Sequence, residues 1–153
     1  MERAVATYKA KGYSDKWISQ RLRSIEIRKE LTDEWQHAGI NNPKEYAALT
    51  NILTLAWSGK SVQAYKELKG LKKENLRDNM TNTELALNLL AEVSTTELSR
   101  MQKPKGYAET QEVTISGGEI AGNARKELEM KLGRTVISSS NATTPEMLDD
   151  TRR

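Results

Sequence analysis

The longest uninterrupted helical pattern in the chain, from Ser14 to about Ala38, constrains the fold more than any other feature. Apolar side chains recur through it at the three- and four-residue spacings of one helix face. Ser14 is a favourable N-cap, and Gly39 followed by Pro43 ends the pattern. The β-branched residues at 113–115 are too few to build a sheet. The sequence therefore predicts an all-α fold that contains this one long helix.

Further helical patterns fill much of the remaining chain. Apolar stripes predict a helix that begins at Pro43 and a short helix over residues 61–68. Thr81 and Glu84 have the spacing of a capping box, which opens an amphipathic helix that reaches about Gln102. We predict a single domain of about five to seven helices. Its predicted core consists of Trp17, Leu22, Ile25, Trp35, Tyr46, Leu49, Leu53, Trp57, Leu85, Leu89 and Leu90.

The character of the sequence changes in its last third. Residues 107–115 are ambiguous because they end in residues of high strand propensity. Three glycines weaken the first half of a helix that is predicted over about residues 117–132. We expect a helical core domain over residues 1–103 and a partly irregular extension, rich in Gly, Ser and Thr, over residues 104–153. The extension is expected to contain that one helix and to end in a flexible tail.

Composition excludes several classes of site. The 153-residue chain has no cysteine, which excludes disulfides, thiolate metal sites and cysteine nucleophiles. His37 is the single histidine, and one histidine alone does not predict a zinc site. No Ser-His-Asp set or carboxylate pair stands out from the surface charge, so we predict no enzyme activity, catalytic residue, metal or cofactor. No apolar run approaches the ~20 residues of a membrane span, and we expect no membrane partner and a cytoplasmic location.

A run of cations between Lys66 and Arg77 is the most promising contact surface in the sequence. Leucines are interleaved with the cations and can anchor the segment while the cations face outward, toward phosphates or an acidic protein surface. Acidic residues within the run favour the alternative of a solvated connector. The net charge of +3 permits a nucleic-acid partner without requiring one. The cations that we single out are Lys69, Lys72, Lys73 and Arg77.

Several segments carry a family resemblance. They read "RLRSIEIRKELTDEW" at 21–35, "GLKKENLRDNMTNTELALNLLA" at 70–91 and "GGEIAGNARKELEMK" at 117–131, followed by "VISSSNA" at 136–142. In this order they resemble the C-terminal region of DNA-damage-inducible protein D and of related phage and prophage proteins, often called antirepressors. The similarity spans roughly residues 14–142. Fuller members carry an N-terminal Bro-type domain that is presumed to bind DNA, and that property is not carried over to this chain.

The resemblance implies a non-enzymatic regulator of a phage, a prophage or the DNA-damage response. Such a regulator would act by protein contact, as an antirepressor or as a modulator of a recombinase, with DNA as a further candidate partner. The implied protein partners are a bacterial or phage repressor, recombinase or defence component, and the long helix and high charge are compatible with a homodimer. The resemblance favours the cation run as a contact site. It adds Asn123, Arg125 and Lys126 as a second candidate.

Two other functions stay open at the level of sequence. One is a phage-encoded antagonist of a bacterial defence or repressor protein that has no affinity for DNA. The other is a nucleotide-sequestering module, because Gly117–Gly122 can be a glycine-rich turn before a helix, and such turns can hold phosphate.

Overall fold

Six α-helices fill most of the part of the chain that the computed structural model describes, residues 2–143. They are α1 (Glu2–Ala10), α2 (Asp15–His37), α3 (Pro43–Ser58), α4 (Val62–Leu68), α5 (Asn82–Gln102) and α6 (Gly106–Leu132), with a 3-10 turn at Arg77–Asn79. No β-strand occurs within residues 2–143, so the all-α prediction and the predicted number of helices are confirmed. In the same range, no helix combines the length and apolarity that crossing a bilayer requires.

Local sequence signals set where these helices begin. The Ser14 hydroxyl accepts a hydrogen bond of 3.1 Å from the backbone N–H of Trp17, and the Asn42 side chain caps α3. Thr81 and Glu84 form the predicted capping box in both directions. Each cap satisfies an amide group that a helix N-terminus leaves without an intrahelical partner.

Helices α2, α3, α5 and α6 form the body of the fold. Helices α2 and α5 run parallel, because side chains join Gln20 to Asn82 near their starts and Arg28 to Glu92 further along. Helix α6 follows α5 after a short connection, returns antiparallel to it and packs extensively against both α3 and α5. The segment expected to be an extension of the core is therefore one of the central helices.

The three tryptophans are fully buried and tie the helices together. Trp17 Nε1 donates a hydrogen bond of 3.1 Å to the carbonyl of Met80, and Trp57 Nε1 donates one of 3.2 Å to Asn88 Oδ1. Two predicted core residues are wrong, since Ile25 is 45% exposed and Leu90 is 37% exposed. Polar residues that have partners inside the protein occupy part of the buried face of α5. This buried face therefore differs from the apolar face that the sequence predicts.

Helix α6 begins at Gly106, eleven residues before the predicted start, and includes the whole ambiguous segment. Its first amide donates a hydrogen bond of 2.7 Å to the carbonyl of Ala38, which joins it to the end of α2. A Cβ atom at Gly118 would lie 2.5 Å from Ala56 Cβ, and one at Gly122 would lie 2.5 Å from the Ala56 carbonyl oxygen. The glycines that weaken the helix prediction thus permit α6 to approach α3 closely, and this packing overrides local propensity.

A non-helical segment follows α6 and lies against the bundle. Val136 and Ile137 are buried in it, and Val136 N–H donates a hydrogen bond of 3.0 Å to Glu129 Oε2. These contacts order the segment up to the end of the described range. The last eight residues, which the sequence predicts to be a flexible tail, lie outside the described residues.

Candidate functional site

Lys69, the first cation of the predicted contact surface, points into the protein. Its side chain is 1% exposed, and Nζ donates hydrogen bonds to Glu84 Oε1 at 2.7 Å and to the carbonyls of Ser138 and Ser140 at 2.8 and 2.5 Å. The Tyr65 hydroxyl donates to the same carboxylate. Burial lowers the pKa of Lys69, and the ion pair with Glu84 opposes that effect. Lys69 therefore joins α4, α5 and the C-terminal segment, and its ammonium group is not available at the surface.

Arg77, the last cation of the run, is also drawn inward. Its guanidinium group pairs with the carboxylate of Glu92, which is fully buried, and Arg28 reaches the same carboxylate oxygen from α2 at 3.3 Å. Burial lowers the pKa of Arg77, an effect that Glu92 opposes and Arg28 reinforces. Two guanidinium groups thus share one carboxylate, which leaves a positive charge uncompensated beneath the surface.

Lys72 and Lys73 do face solvent. They lie in the loop between α4 and the 3-10 turn, which Gly70 opens with a φ of 71°. Lys72 lines a cleft beside α4, whereas Lys73 lies outside that cleft. The predicted surface therefore divides into two internal cations and two exposed ones.

This cleft has a volume of about 930 Å³ and lies between α2, α3, α4 and the loop after α4. Its apolar wall comes mainly from α3 and α4. Three cations and a single carboxylate, that of Glu67, line it. The lining residues are Arg28, Tyr46, Ala47, Thr50, Asn51, Ser61, Val62, Gln63, Lys66, Glu67, Leu71 and Lys72. We call this site the cationic cleft.

The three cations differ in how firmly they are held. The Arg28 guanidinium donates hydrogen bonds to Thr50 and Glu92 and lies 5.0 Å from the centroid of the Trp35 ring. The Lys72 ammonium group has no hydrogen-bond or ion-pair partner within residues 2–143, whereas Lys66 interacts electrostatically with the carboxylate of Glu74. Arg28 is therefore a positioned donor at the wall of the cleft, and the two lysines add positive charge at its edge.

The second candidate set does not converge in the same way. Arg125 Nε donates a hydrogen bond of 2.8 Å to the Trp57 carbonyl and its Nη1 donates one of 2.6 Å to Glu129, so its side chain holds α6 against α3. Asn123 and Lys126 are exposed on α6. The glycines near them lie inside that helix rather than in a turn before it, so the predicted phosphate-holding turn at Gly117–Gly122 is wrong.

Sequence reasoning gave no role to Arg28 and did not select Lys66. A usable signal existed for Arg28, because it continues the inward three- and four-residue spacing of Trp17, Ser24 and Trp35 along α2. An arginine on such a stripe is either paired inside the protein or faces a cavity, and Arg28 does both. Lys66 begins the predicted cation run, although it is not among the four cations that the sequence analysis singles out.

Comparison with known protein families gives a match over most of the chain. The family model of the DinD C-terminal domain matches residues 14–152, which include every residue of the cationic cleft. The match begins at the N-cap of α2 and so leaves out α1. No curated protein and no solved structure matches the chain.

Proposed function

The chain belongs to the DinD C-terminal domain family, as the resemblance predicted, and from this premise we propose that it is a non-enzymatic regulatory binding module. The family associates the domain with DNA-damage-inducible proteins. The module binds an anionic surface of another macromolecule through the cationic cleft. The observation that carries the proposal is the convergence of Arg28, Lys66 and Lys72 on one concave surface that has a single carboxylate.

The physical chemistry of the cleft suits recognition of a macromolecule. A concave wall of one charge focuses the electrostatic field and raises the rate at which an oppositely charged partner arrives. Arg28 is already positioned by Thr50 and Glu92, so little of its conformational freedom is lost on binding. The proposed partner is an acidic face of a repressor, a recombinase or a defence protein, and the phosphates of DNA are a second group that the same cations bind.

Charge reversal in the cleft tests the proposal. Lys66→Glu combined with Lys72→Glu reverses two charges at the edge of the cleft. Within residues 2–143, Lys72 has no partner for its ammonium group and Lys66 has only the electrostatic interaction with the exposed Glu74, so the fold should be retained. Lys73→Glu is the matched control, because it reverses an exposed charge next to the cleft but outside it. Partners captured from extracts of DNA-damaged bacteria should bind wild type and Lys73→Glu equally. They should bind the cleft variant at least about tenfold more weakly.

A folded cleft variant that captures every partner as well as wild type would exclude the cleft as the contact site. Circular dichroism and thermal unfolding of all three proteins supply the control for folding.

DNA binding through the three cations of the cleft should depend strongly on salt concentration. Three phosphate contacts predict a salt dependence that lowers duplex affinity about 40-fold and single-strand affinity about 20-fold between 50 and 200 mM salt. Fluorescence anisotropy with labelled oligonucleotides measures both. Binding that ignores salt, or that survives the cleft variant, would contradict DNA recognition by these cations.

A protein antagonist without DNA affinity is the second candidate function. It is favoured by exposed apolar side chains on the outer faces of α2 and α5, which include Ile25, Leu90 and Val93. Capture of a protein partner that Ile25→Ser with Leu90→Ser weakens, together with no measurable DNA binding, supports this candidate over the first. Retention of that partner by the serine variant excludes it.

A further inference from the structure

A smaller chamber lies beside the cationic cleft and shares a wall with it. Its volume is about 190 Å³, and Thr50, Val62 and Lys66 line both cavities. The residues that line the chamber include no carboxylate and no aromatic ring. Its apolar side chains are Leu53, Val62, Leu76 and Met80. We call this cavity the inner chamber, and neither the family match nor the proposed function assigns it an occupant.

Arg77 lines the inner chamber with part of its hydrogen-bonding capacity unused. Its Nη2 donates to the buried carboxylate of Glu92, and its side chain is 16% exposed. Within residues 2–143, no acceptor takes its Nε or Nη1. Neither nitrogen is among the fully buried polar atoms that lack a partner, so both are in contact with solvent. A guanidinium group has five N–H donors in a plane that matches a carboxylate, so Arg77 can bind one more acidic group.

Cations outnumber carboxylates around the inner chamber by one. Four cations share three carboxylates, and the pairs are Glu92 with Arg28 and Arg77, Asp78 with Arg21, and Glu74 with Lys66. Further along the cleft, Lys72 and Glu67 add one charge of each sign. The helix ends at the chamber are the starts of α4 and α5, beside Val62 and Met80, and a helix start carries a partial positive charge. One anionic group from a partner would therefore restore the balance.

The apolar lining distinguishes between the two kinds of anion that the proposed function allows. Phosphate groups of DNA would neutralise the cations but leave the apolar side chains without a contact. Bases of a single strand bind by stacking on aromatic rings, and none lines the chamber. An aliphatic side chain of a protein partner would instead fill this lining and remove apolar surface from water.

On the premise that the proposed function holds, we infer that the cationic cleft binds an acidic peptide segment whose aliphatic side chain enters the inner chamber. A carboxylate next to that side chain pairs with Arg77 and Lys66, and the other acidic residues of the segment lie along the cleft near Lys72. The chamber accommodates one side chain of this kind rather than a whole helix or strand. The partner is thus recognised by an acidic segment that carries an aliphatic anchor.

Fluorescence anisotropy with labelled synthetic peptides tests this inference. The first peptide is amidated at its C-terminus and carries one leucine between glutamates, and the second has serine in place of the leucine. The leucine peptide should bind about tenfold or more tightly than the serine peptide. A third peptide, with glutamine in place of each glutamate, should bind about tenfold or more weakly than the first.

Two variants of the full chain connect the leucine preference to the inner chamber. Val62→Thr places a hydroxyl in the lining at a half-buried position and keeps a β-branched side chain, so the fold should be retained. It should reduce the preference for leucine over serine about threefold or more. Lys66→Gln should weaken binding of both acidic peptides, while Lys73→Gln, at an exposed lysine outside both cavities, should leave it unchanged. Thermal unfolding of each variant supplies the control for folding.

Equal binding of the leucine and serine peptides, both weakened by Lys66→Gln, would overturn the aliphatic anchor and leave the proposed function intact. A leucine preference that Val62→Thr does not change would also overturn it, because the anchor would then bind elsewhere. Binding of labelled oligonucleotides but of no peptide, lost in Lys66→Glu with Lys72→Glu, would show that the cleft holds a nucleic acid instead. Failure of both peptides and oligonucleotides to bind would count against the proposed function as well.

Discussion

Replacement of Gly117 by alanine tests whether close helix contact, rather than flexibility, explains the glycines of α6. A Cβ atom at this position would lie 2.7 Å from both the Cα and the backbone nitrogen of Thr95 on α5. This distance is about 0.7 Å below the 3.4 Å at which ordinary van der Waals contact begins. The Thr95 hydroxyl oxygen would lie closer still, at 2.0 Å. Because the Cα and the nitrogen belong to the backbone of α5, rotation of the Thr95 side chain is not enough, and α5 and α6 must separate to relieve the clash.

The expected cost follows from two opposing effects. Overpacking against an unyielding neighbour costs up to about 3 kcal/mol, whereas alanine favours the helix over glycine by about 1 kcal/mol. We therefore expect Gly117→Ala to lower the free energy of unfolding by about 2 kcal/mol. In a chain of this length, that corresponds to a decrease of about 4–8 °C in melting temperature.

Thermal unfolding followed by circular dichroism at 222 nm measures the effect. Ser116→Ala is the matched control, because Ser116 precedes Gly117 in the same helix and is exposed. It gains helix propensity without a clash and should leave the melting temperature unchanged or slightly higher. A Gly117→Ala protein as stable as this control would refute the close-contact explanation.

Three further perturbations test the buried ionic network. Lys69→Met leaves Glu84 buried without its cation and should lower the free energy of unfolding, measured with urea, by about 3–5 kcal/mol. A decrease below about 1 kcal/mol would show that the pair contributes little. Glu92→Gln removes the carboxylate that two arginines share and should lower the free energy of unfolding by about 3 kcal/mol. The control Glu97→Gln, at an exposed carboxylate, should change it by less than about 0.5 kcal/mol. Similar losses of stability in both variants would contradict the network. Burial and the carboxylate of Glu84 raise the pKa of Tyr65 far above its ordinary 10.0. As the pH rises, the unfolded chain therefore loses this proton before the folded one does. The contribution of Tyr65 to the free energy of unfolding is fully present below pH 10 and decreases above it. Melting temperatures between pH 8 and 11 should fall less steeply for Tyr65→Phe, and identical slopes would argue against this assignment.

The candidate site shows where sequence reasoning stops. The cation pattern from Lys69 to Arg77 predicts a contact surface, and Lys72 does line the cationic cleft. The side chains of Lys69 and Arg77 point into the protein because each pairs with a buried carboxylate on α5. These two ion pairs depend on how the helices pack. The sequence predicts Glu84 as half of a capping box, and in the folded protein Glu84 is also the partner of Lys69.

The sequence by itself determined the all-α class, the caps at Ser14 and Thr81, and membership of the family, because these depend on neighbouring residues or on their order along the chain. Only the tertiary structure decided that α6 begins at Gly106 and which cations remain exposed. The physical reason is that local propensities differ by less than about 1 kcal/mol per residue, while helix packing and the pairing of buried charges involve several kcal/mol. Packing and charge pairing act between residues that are distant in sequence and meet only in the folded chain.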